Sequence, residues 1–503
     1  MSGPESVGGA PQRTDPRSFA VKALAMLTQL VVPLGFAGYT ILDDGDLGDL
    51  IVYFLPIVLA AIGANFFFAW LGWRRFTYQV NPADIRVESG IVSRQARSVP
   101  YERIQDVSIE QKLVPRLFGL VQVKFETGAG GKDELTLAYL TEAEGERLRE
   151  LVRARRDGES LSTKDAVVER AEQDELLFTM GPRRVVTFGL FEFSLVVVAG
   201  FAGFAQQFDF LLPFDLWDFE EWQARLAGPG QWLAGLGFAA QIAGGAIAAL
   251  ILLAVGFGTG LIRTVLREWD FRLERTDKGL RRRRGLLTRT DVVMPVHRVQ
   301  ALRVGTGLVR RFFGWHKLSV VSLAQDSGNA SHDAAPFAQM EEIAPIVATT
   351  GFALPPVETD WKRGDSRYRI DRVIAAGLIL AVMAIGLSLS PRSEVALVPM
   401  IGMIAVGLVE LYNWRFAANA CDARQIYVRR SWLSPKTSIA NRVKLQSVEI
   451  AQGPLARRRG YAHLHLGLAG GNFRIHGIPL ERARELRGAV LASIARTDFS
   501  ELV

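Results

Sequence analysis

The sequence predicts a protein of mixed class, membrane α plus soluble β. It has six transmembrane helices in three hairpins, each followed by a small antiparallel β domain closed by a C-terminal helix. Three observations predict this. Mean hydropathy is +0.16 while 22% of the 503 residues are charged, which suits neither a cytosolic globule nor a chain made only of spans. Six stretches are apolar over the ~20 residues that a ~30 Å hydrocarbon core demands. The polar segments that follow each pair of stretches repeat one another.

The stretches are Ala23–Leu42, Leu50–Trp73, Val185–Ala205, Gln231–Ile262, Val373–Ser390 and Val395–Trp414. The fourth is longer than a span needs, so it tilts or protrudes. The connection Asp43–Asp49 carries four acids and no base, and Gln206–Gly230 carries five acids against Arg225. The third connection is a few residues around Pro391 and Arg392. The opposite flanks are basic: Arg13, Arg17 and Lys22; Arg74 and Arg75; Arg183 and Arg184; Arg263 and Arg267; Arg415. Lys and Arg near span ends are retained on the cytoplasmic side. Both termini and all three soluble regions are therefore expected in the cytoplasm, on a multi-pass protein of the plasma (inner) membrane. A second span follows the first at once, which argues against a cleaved signal peptide.

Each soluble segment opens alike, with Trp73-Arg-Arg-Phe76, Trp269-Asp-Phe271 and Trp414-Arg-Phe416. The first two copies align without a gap. Gly90 matches Gly285, Pro100 matches Pro295, Arg103 and Gln105 match Arg298 and Gln300, and Leu113–Gly119 matches Leu308–Gly314. The third copy, after a one-residue shift, shows Asn441-Arg-Val-Lys-Leu-Gln446 and then Gly453–Gly460. Alternation of apolar and polar residues predicts strands in the first copy at Ile85–Glu88, Gly90–Arg97, Val107–Glu110, Val121–Glu126 and Glu134–Ala138. Closing helices are predicted at Thr141–Arg155, Ala338–Ala348 and Pro479–Ala495. The first has a capping box in Thr141-Glu-Ala-Glu144, and the last has Pro at its start.

Two spans, then Trp-x-Phe, Gly-Ile/Leu, Pro-x-x-Arg-Ile/Val-Gln, a Phe-Gly turn and a closing helix: this order resembles the bacterial PH-like domain membrane proteins of the YdbS/YdbT type, in a three-domain, YdbT-like form. The resemblance implies that each soluble unit is a PH-like, seven-stranded, partly open antiparallel β-barrel capped by its C-terminal helix. The third copy departs most, with Asn441 where the others have Pro and Tyr461 after Gly460. The organisation expected is a disordered N-terminus over 1–18, hairpins over 19–73, 183–265 and 370–415, PH-like domains over 74–156, 266–352 and 416–503, and linkers over 157–182 and 353–369. The family supplies no catalytic pattern.

Basic clusters are the candidate binding residues. Arg281, Arg282, Arg283 and Arg284 precede Gly285; Arg310 and Arg311, then Arg457, Arg458 and Arg459, precede the loop glycines; Arg429 and Arg430 form another pair. Facing anionic headgroups, each contributes ~1 kcal/mol; otherwise they set topology or pair with acids. Arg103 and Arg298 are expected to make structural hydrogen bonds within their domains. Glu192 lies inside an apolar stretch, where a carboxylate suggests function; a structural pairing with another span is its rival. The Gly256-Phe-Gly-Thr-Gly260 run suits tight helix packing. His463, His465 and His476 lack a companion carboxylate or thiol at ligand spacing, and the single Cys421 excludes an intramolecular disulfide and a Cys-cluster metal site.

No nucleophile motif is present, so no enzyme, metal or cofactor is expected. The net charge of +7 is modest and suits a membrane surface better than nucleic acid. The function expected is a binding or scaffolding protein that displays three PH-like domains to membrane lipids, a protein partner or another copy of itself, in envelope stress or resistance. A six-span transporter or export component using Glu192 is the alternative.

Overall fold

The computed structural model describes residues 10–25, 27, 52, 54–91, 93–127, 135–157, 175–193, 224, 238–277, 279–326, 329–389, 396–430, 434–469 and 471–496. The first predicted span beyond residue 27, the third beyond residue 193, the acidic connections and most of the linker over 157–182 lie outside these residues. In chain order the first module consists of α1 (Leu55–Arg75), β1 (Thr77–Val80), β2 (Asp84–Ser89), β3 (Gln95–Pro100), β4 (Ile104–Gln111), α2 (Leu113–Leu117), β5 (Leu120–Thr127), β6 (Leu135–Thr141) and α3 (Glu142–Asp157). The second has β7 (Glu175–Met180), α4 (Pro182–Leu190), α5 (Phe238–Glu268), β8 (Phe271–Thr276), β9 (Gly279–Arg284), β10 (Arg289–Met294), β11 (Val299–Gly305), β12 (His316–Asp326), β13 (Asn329–Ala338) and α6 (Met340–Thr349). The third has β14 (Lys362–Arg363), α7 (Ser366–Ser388), α8 (Leu397–Phe416), β15 (Ala418–Cys421), β16 (Gln425–Arg430), β17 (Lys436–Asn441), β18 (Leu445–Ala451), α9 (Pro454–Arg459), β19 (Tyr461–Leu468), β20 (Gly471–Pro479) and α10 (Leu480–Ala495).

Among the described residues four helices are long and apolar enough to cross a membrane: α1, the Leu250–Glu268 part of α5, α7 and α8. They coincide with the second, fourth, fifth and sixth predicted stretches. Their apolar side chains are exposed, Leu378, Ile385, Ile401 and Ile404 among them, which is the expected face of a helix whose solvent is lipid.

Each module folds as two three-stranded antiparallel meanders and a helix. Six strands follow each helix pair, where seven were expected. A further pairing comes from ahead of the pair: β14 runs antiparallel to β15, β7 borders β8, and Gln12 bridges Tyr78. The chain thus leaves and re-enters the same small sheet around each helix pair. Trp73 Nε1 donates to Thr14 O at 3.0 Å, and Trp414 Nε1 donates to Gly364 O at 3.0 Å, so the same tryptophan position ties the two ends of the first and third pairs together.

The chain divides into two compact units. In the first, residues from β1 to α3 build a core around Ile85, Phe125, Leu137, Leu140 and Leu148. Helix α3 starts where the sequence predicts: Glu144 N donates to Thr141 Oγ1 at 3.3 Å. The predicted strand Gly90–Arg97 begins later, at Gln95. Gly90 has φ +116° and a Cβ there would collide with the Ser93 carbonyl oxygen, so the chain bends at Gly90 before the strand begins. Gly285, its repeat partner, shows the same geometry against Thr288 O. The β4–β5–β6 meander continues at β4 into β10, with Ile109 opposite Asp291 and Gln111 opposite Arg289.

In the second unit the sheet order is β13-β12-β11-β17-β16-β15-β14, and β18-β19-β20 forms its own sheet. Here β17 lies on β11 with Val304 opposite Thr437. Ala301 and Val321 join Ile426, Leu464, Leu466 and Leu486 in one core. Lys444 seals the junction, its Nζ donating to Val299 O at 2.6 Å and His297 O at 3.3 Å. Lys444 stands where Arg103 and Arg298 do, and it is half-buried where Arg103 is exposed. Helix α10 begins after Pro479, which occupies the cap and not the first turn.

Candidate functional site

The basic run Arg281–Arg284 lies on β9, and strand alternation divides it. Arg282 is buried with 0% exposure, and Arg281 is half-buried. Arg283 Nε meets Asp291 at 3.3 Å, and Arg284 Nη1 meets Glu268 at 2.9 Å, with Glu268 itself fully buried and held also by Arg267 at 2.7 Å. Two of the four arginines are thus paired with acids from α5 and β10 and a third is buried, so the run is not presented outward as a whole.

The loops carrying the other arginines are more open. Gly119, Gly314 and Gly460, aligned by the repeat, all take left-handed φ of +69°, +71° and +80° and end the short helical turns α2, Arg310–Phe313 and α9. Each turn points apolar residues outward: Leu117 is 77% exposed, Phe312 73%, Phe313 60% and Leu455 51%. Arg457 and Arg458 are exposed beside Leu455. Arg311 packs 4.9 Å from the Phe312 ring. Arg310 lies 6.0 Å from the Phe337 ring, and burial holds its guanidinium below the ordinary value. Arg459 is bound inward, 3.2 Å from Asp371. Two loops touch the start of a helix pair in the same way: Arg17 Nη1 donates to Phe118 O at 3.4 Å, and Arg367 Nη1 donates to Arg459 O at 2.9 Å. Tyr461, which departs from the repeat, is buried and donates to Asp371 at 2.9 Å.

Glu192 follows the end of α4 at Leu190. Its backbone lies against Gly260 and Phe193 lies against Gly256, where a Cβ at either glycine would collide with them; Gly189 packs as closely on Leu261. The small-residue run of α5 therefore serves close packing, as its spacing predicts.

A cavity of ≈ 250 Å³ at the polar base of α7 and α8 was not anticipated as a site. Arg369 and Arg372 reach it from the first turns of α7, one helical face apart by three residues. Glu410, Asn413 and Trp414 come from the end of α8, and Arg429 and Arg430 from β16. Four arginines thus face one carboxylate, and Glu410 is taken by Arg372 at 2.6 Å. Arg369 stacks 4.5 Å over Trp414, and Arg429 3.6 Å over Trp361. Arg430 Nη2 is buried without a hydrogen-bond partner among the described residues. Burial, then Arg474 and Arg303, hold Arg430 below its ordinary value. Arg430 also lines a neighbouring groove of ≈ 500 Å³ with Arg303, Lys317 and Lys436; Lys317 is paired with Asp333 at 2.8 Å. His476, on β20, is pulled down to about 4 by burial, then by Arg430, His463, His465 and Arg372. His463 stands 5.3 Å from it, ring to ring. Four guanidinium groups around one carboxylate, one of them with an N–H unmet among the described residues, make this cavity cationic. Arg369 and Arg372, three apart just before an apolar run, were the available sequence signal.

The sequence matches the profile of the bacterial PH domain family (bPH_2) three times, over residues 31–156, 231–349 and 370–494. It is 25% identical over 280 residues to the UPF0699 transmembrane protein YdbT of Bacillus subtilis (strain 168). That alignment covers 52% of this chain and 54% of the relative, so the chain spans about half the length of the curated relative it matches. No solved structure matches it.

Proposed function

This chain belongs to the bacterial PH domain family, and from that premise we propose that it is a polytopic membrane scaffold whose PH-like modules rest on the headgroup layer and bind anionic lipid there. In this reading six spans form three hairpins, each module is a partly open barrel, and the modules face the cytoplasm from the inner membrane. It is a binding protein without catalytic chemistry.

The observation that carries the reading is the shared build of the loops. Arg17 and Arg367 stand at the entrances of helix pairs and hold the backbones of 118 and 459. On this reading Leu117 and Leu455, with Arg457 and Arg458, lie at the depth where helices meet headgroups. Exposed apolar residues beside arginine suit that layer: the carbon stems bury while the charges stay at the phosphates. The pairing of residues before and after a helix pair supports modules on one face of the bilayer. Basic flanks favour the cytoplasmic face.

The test is lipid retention by the full chain extracted from mixed phosphatidylcholine and phosphatidylglycerol membranes, counted by native mass spectrometry. Enrichment of phosphatidylglycerol over its bulk fraction is expected. Replacing Arg457 and Arg458 with Gln lowers that enrichment by about fivefold per residue. Retention of the two lipids in bulk proportion removes the reading.

A further inference from the structure

The two junctions between modules share one register. At the first, Ile109 of β4 lies opposite Asp291 of β10; at the second, Val304 of β11 lies opposite Thr437 of β17. Ile109 and Val304 each stand ten residues ahead of their loop glycine, Gly119 and Gly314, and Asp291 and Thr437 each stand four ahead of Pro295 and Asn441. The same acceptor strand thus takes the same donor strand at the same offset, twice. Two equivalent strands remain at sheet edges. Among the described residues, β18, the acceptor of the last module, borders only β19, and β3, the donor of the first module, borders only β2.

We propose that β3 of one chain pairs with β18 of a second copy, continuing between molecules the junction that the fold already makes twice within one. The occupant follows from continuity with those junctions. Carrying the register over sets Ile450, ten ahead of Gly460, opposite Ala96, four ahead of Pro100. The next pair is then Glu449 opposite Arg97, both exposed, an acid facing a base directly across strands. Val448 faces Ser98 and Ala451 faces Gln95, so no like charges oppose one another along the ladder. Edge strands of this kind are templates for added strands. The contact is heterologous, each copy giving β3 and accepting on β18, so assembly propagates or closes into a ring. The inference rests on the module repeat and is independent of lipid binding.

Two experiments on the full chain in detergent test it. In a Cys421→Ser background, Ala96→Cys together with Ile450→Cys is oxidised. A ladder of covalent dimers and larger species is expected, and only dimers when two chains each carrying one of the cysteines are mixed. Cross-links confined within single chains, or none, overturn the proposal. In the second, Arg97→Glu and Glu449→Arg each weaken self-association roughly tenfold by turning attraction into repulsion. The double variant restores it. Single variants that associate as the parent does, or a double variant no better than the singles, also overturn it. All the substituted side chains except the half-buried Ile450 and Cys421 are exposed, and thermal melting confirms that the variants fold.

Discussion

The second and third modules end the same strand with the same dipeptide, Arg283-Arg284 on β9 and Arg429-Arg430 on β16, yet use it differently. In the second, the helix ahead of the strand brings Glu268 to Arg284, and β10 brings Asp291 to Arg283. In the third, Asn413 stands where Glu268 does, and the acid that the helix brings to the cavity, Glu410, is taken by Arg372 and not by Arg430. Arg369 stacks on the Trp414 indole, and Arg430 keeps a buried N–H unmet among the described residues. One scaffold thus makes a closed ion pair in one copy and a cationic cavity in another. The lesson is that a run of arginines is not itself a site; what the neighbouring helix end contributes decides.

The sharpest way to break the comparison is to remove the acid. Glu268→Gln keeps the shape and leaves Arg284 buried against an uncharged amide. Breaking a buried pair from one side costs about 3 kcal/mol, so a drop in thermal stability of the detergent-solubilised chain is expected. If the variant melts with the parent, Arg284 is not held by Glu268 and the two modules do not differ in the way described.

A smaller effect is expected from Arg430→Gln, which touches the open copy. It removes one of four arginines lining the cavity and lowers phosphatidylglycerol retention by about fivefold. Stability holds or rises, since a buried donor without a partner is removed. Lower stability with unchanged lipid retention would make Arg430 a structural residue.

Much of this was legible in the sequence, for a physical reason in each case. Four of six apolar stretches reappear as long exposed-apolar helices because twenty consecutive apolar residues admit little else. The loop glycines Gly119, Gly314 and Gly460 share one left-handed conformation because the repeat reports backbone geometry. The Thr141 cap was readable because capping is local. What could not be read depends on register and on partners from other elements. Glu268 and Asp291 lie only 16 and 8 residues from Arg284 and Arg283, but which arginine each meets depends on strand register, and no periodicity reveals that β10 leaves its own module to pair with β4. The cavity joins Arg369, Trp414 and Arg430 from three elements, and only the fold brings them together.

The smallest expected effect is one of pH, and it reads the cavity's charge from inside. His476 titrates near 4 in the folded chain, below its ordinary 6.5. Between those values the unfolded chain binds a proton that the folded chain refuses, so stability rises with pH across that window and is fully recovered above 6.5. The groups facing the imidazole are Arg430 on β16, Arg372 and Tyr368 on α7, and His463 and His465 on β19. The ring is partly exposed, which keeps the effect below about 1 kcal/mol. His476→Gln flattens the stability profile between pH 4 and 6.5. An anion seated beside Arg430 offsets the field that depresses the imidazole, so phosphatidylglycerol moves the His476 midpoint, followed by NMR, upward toward its ordinary value. A midpoint that ignores the lipid would place the headgroup elsewhere on the module, at the loops and not in the cavity.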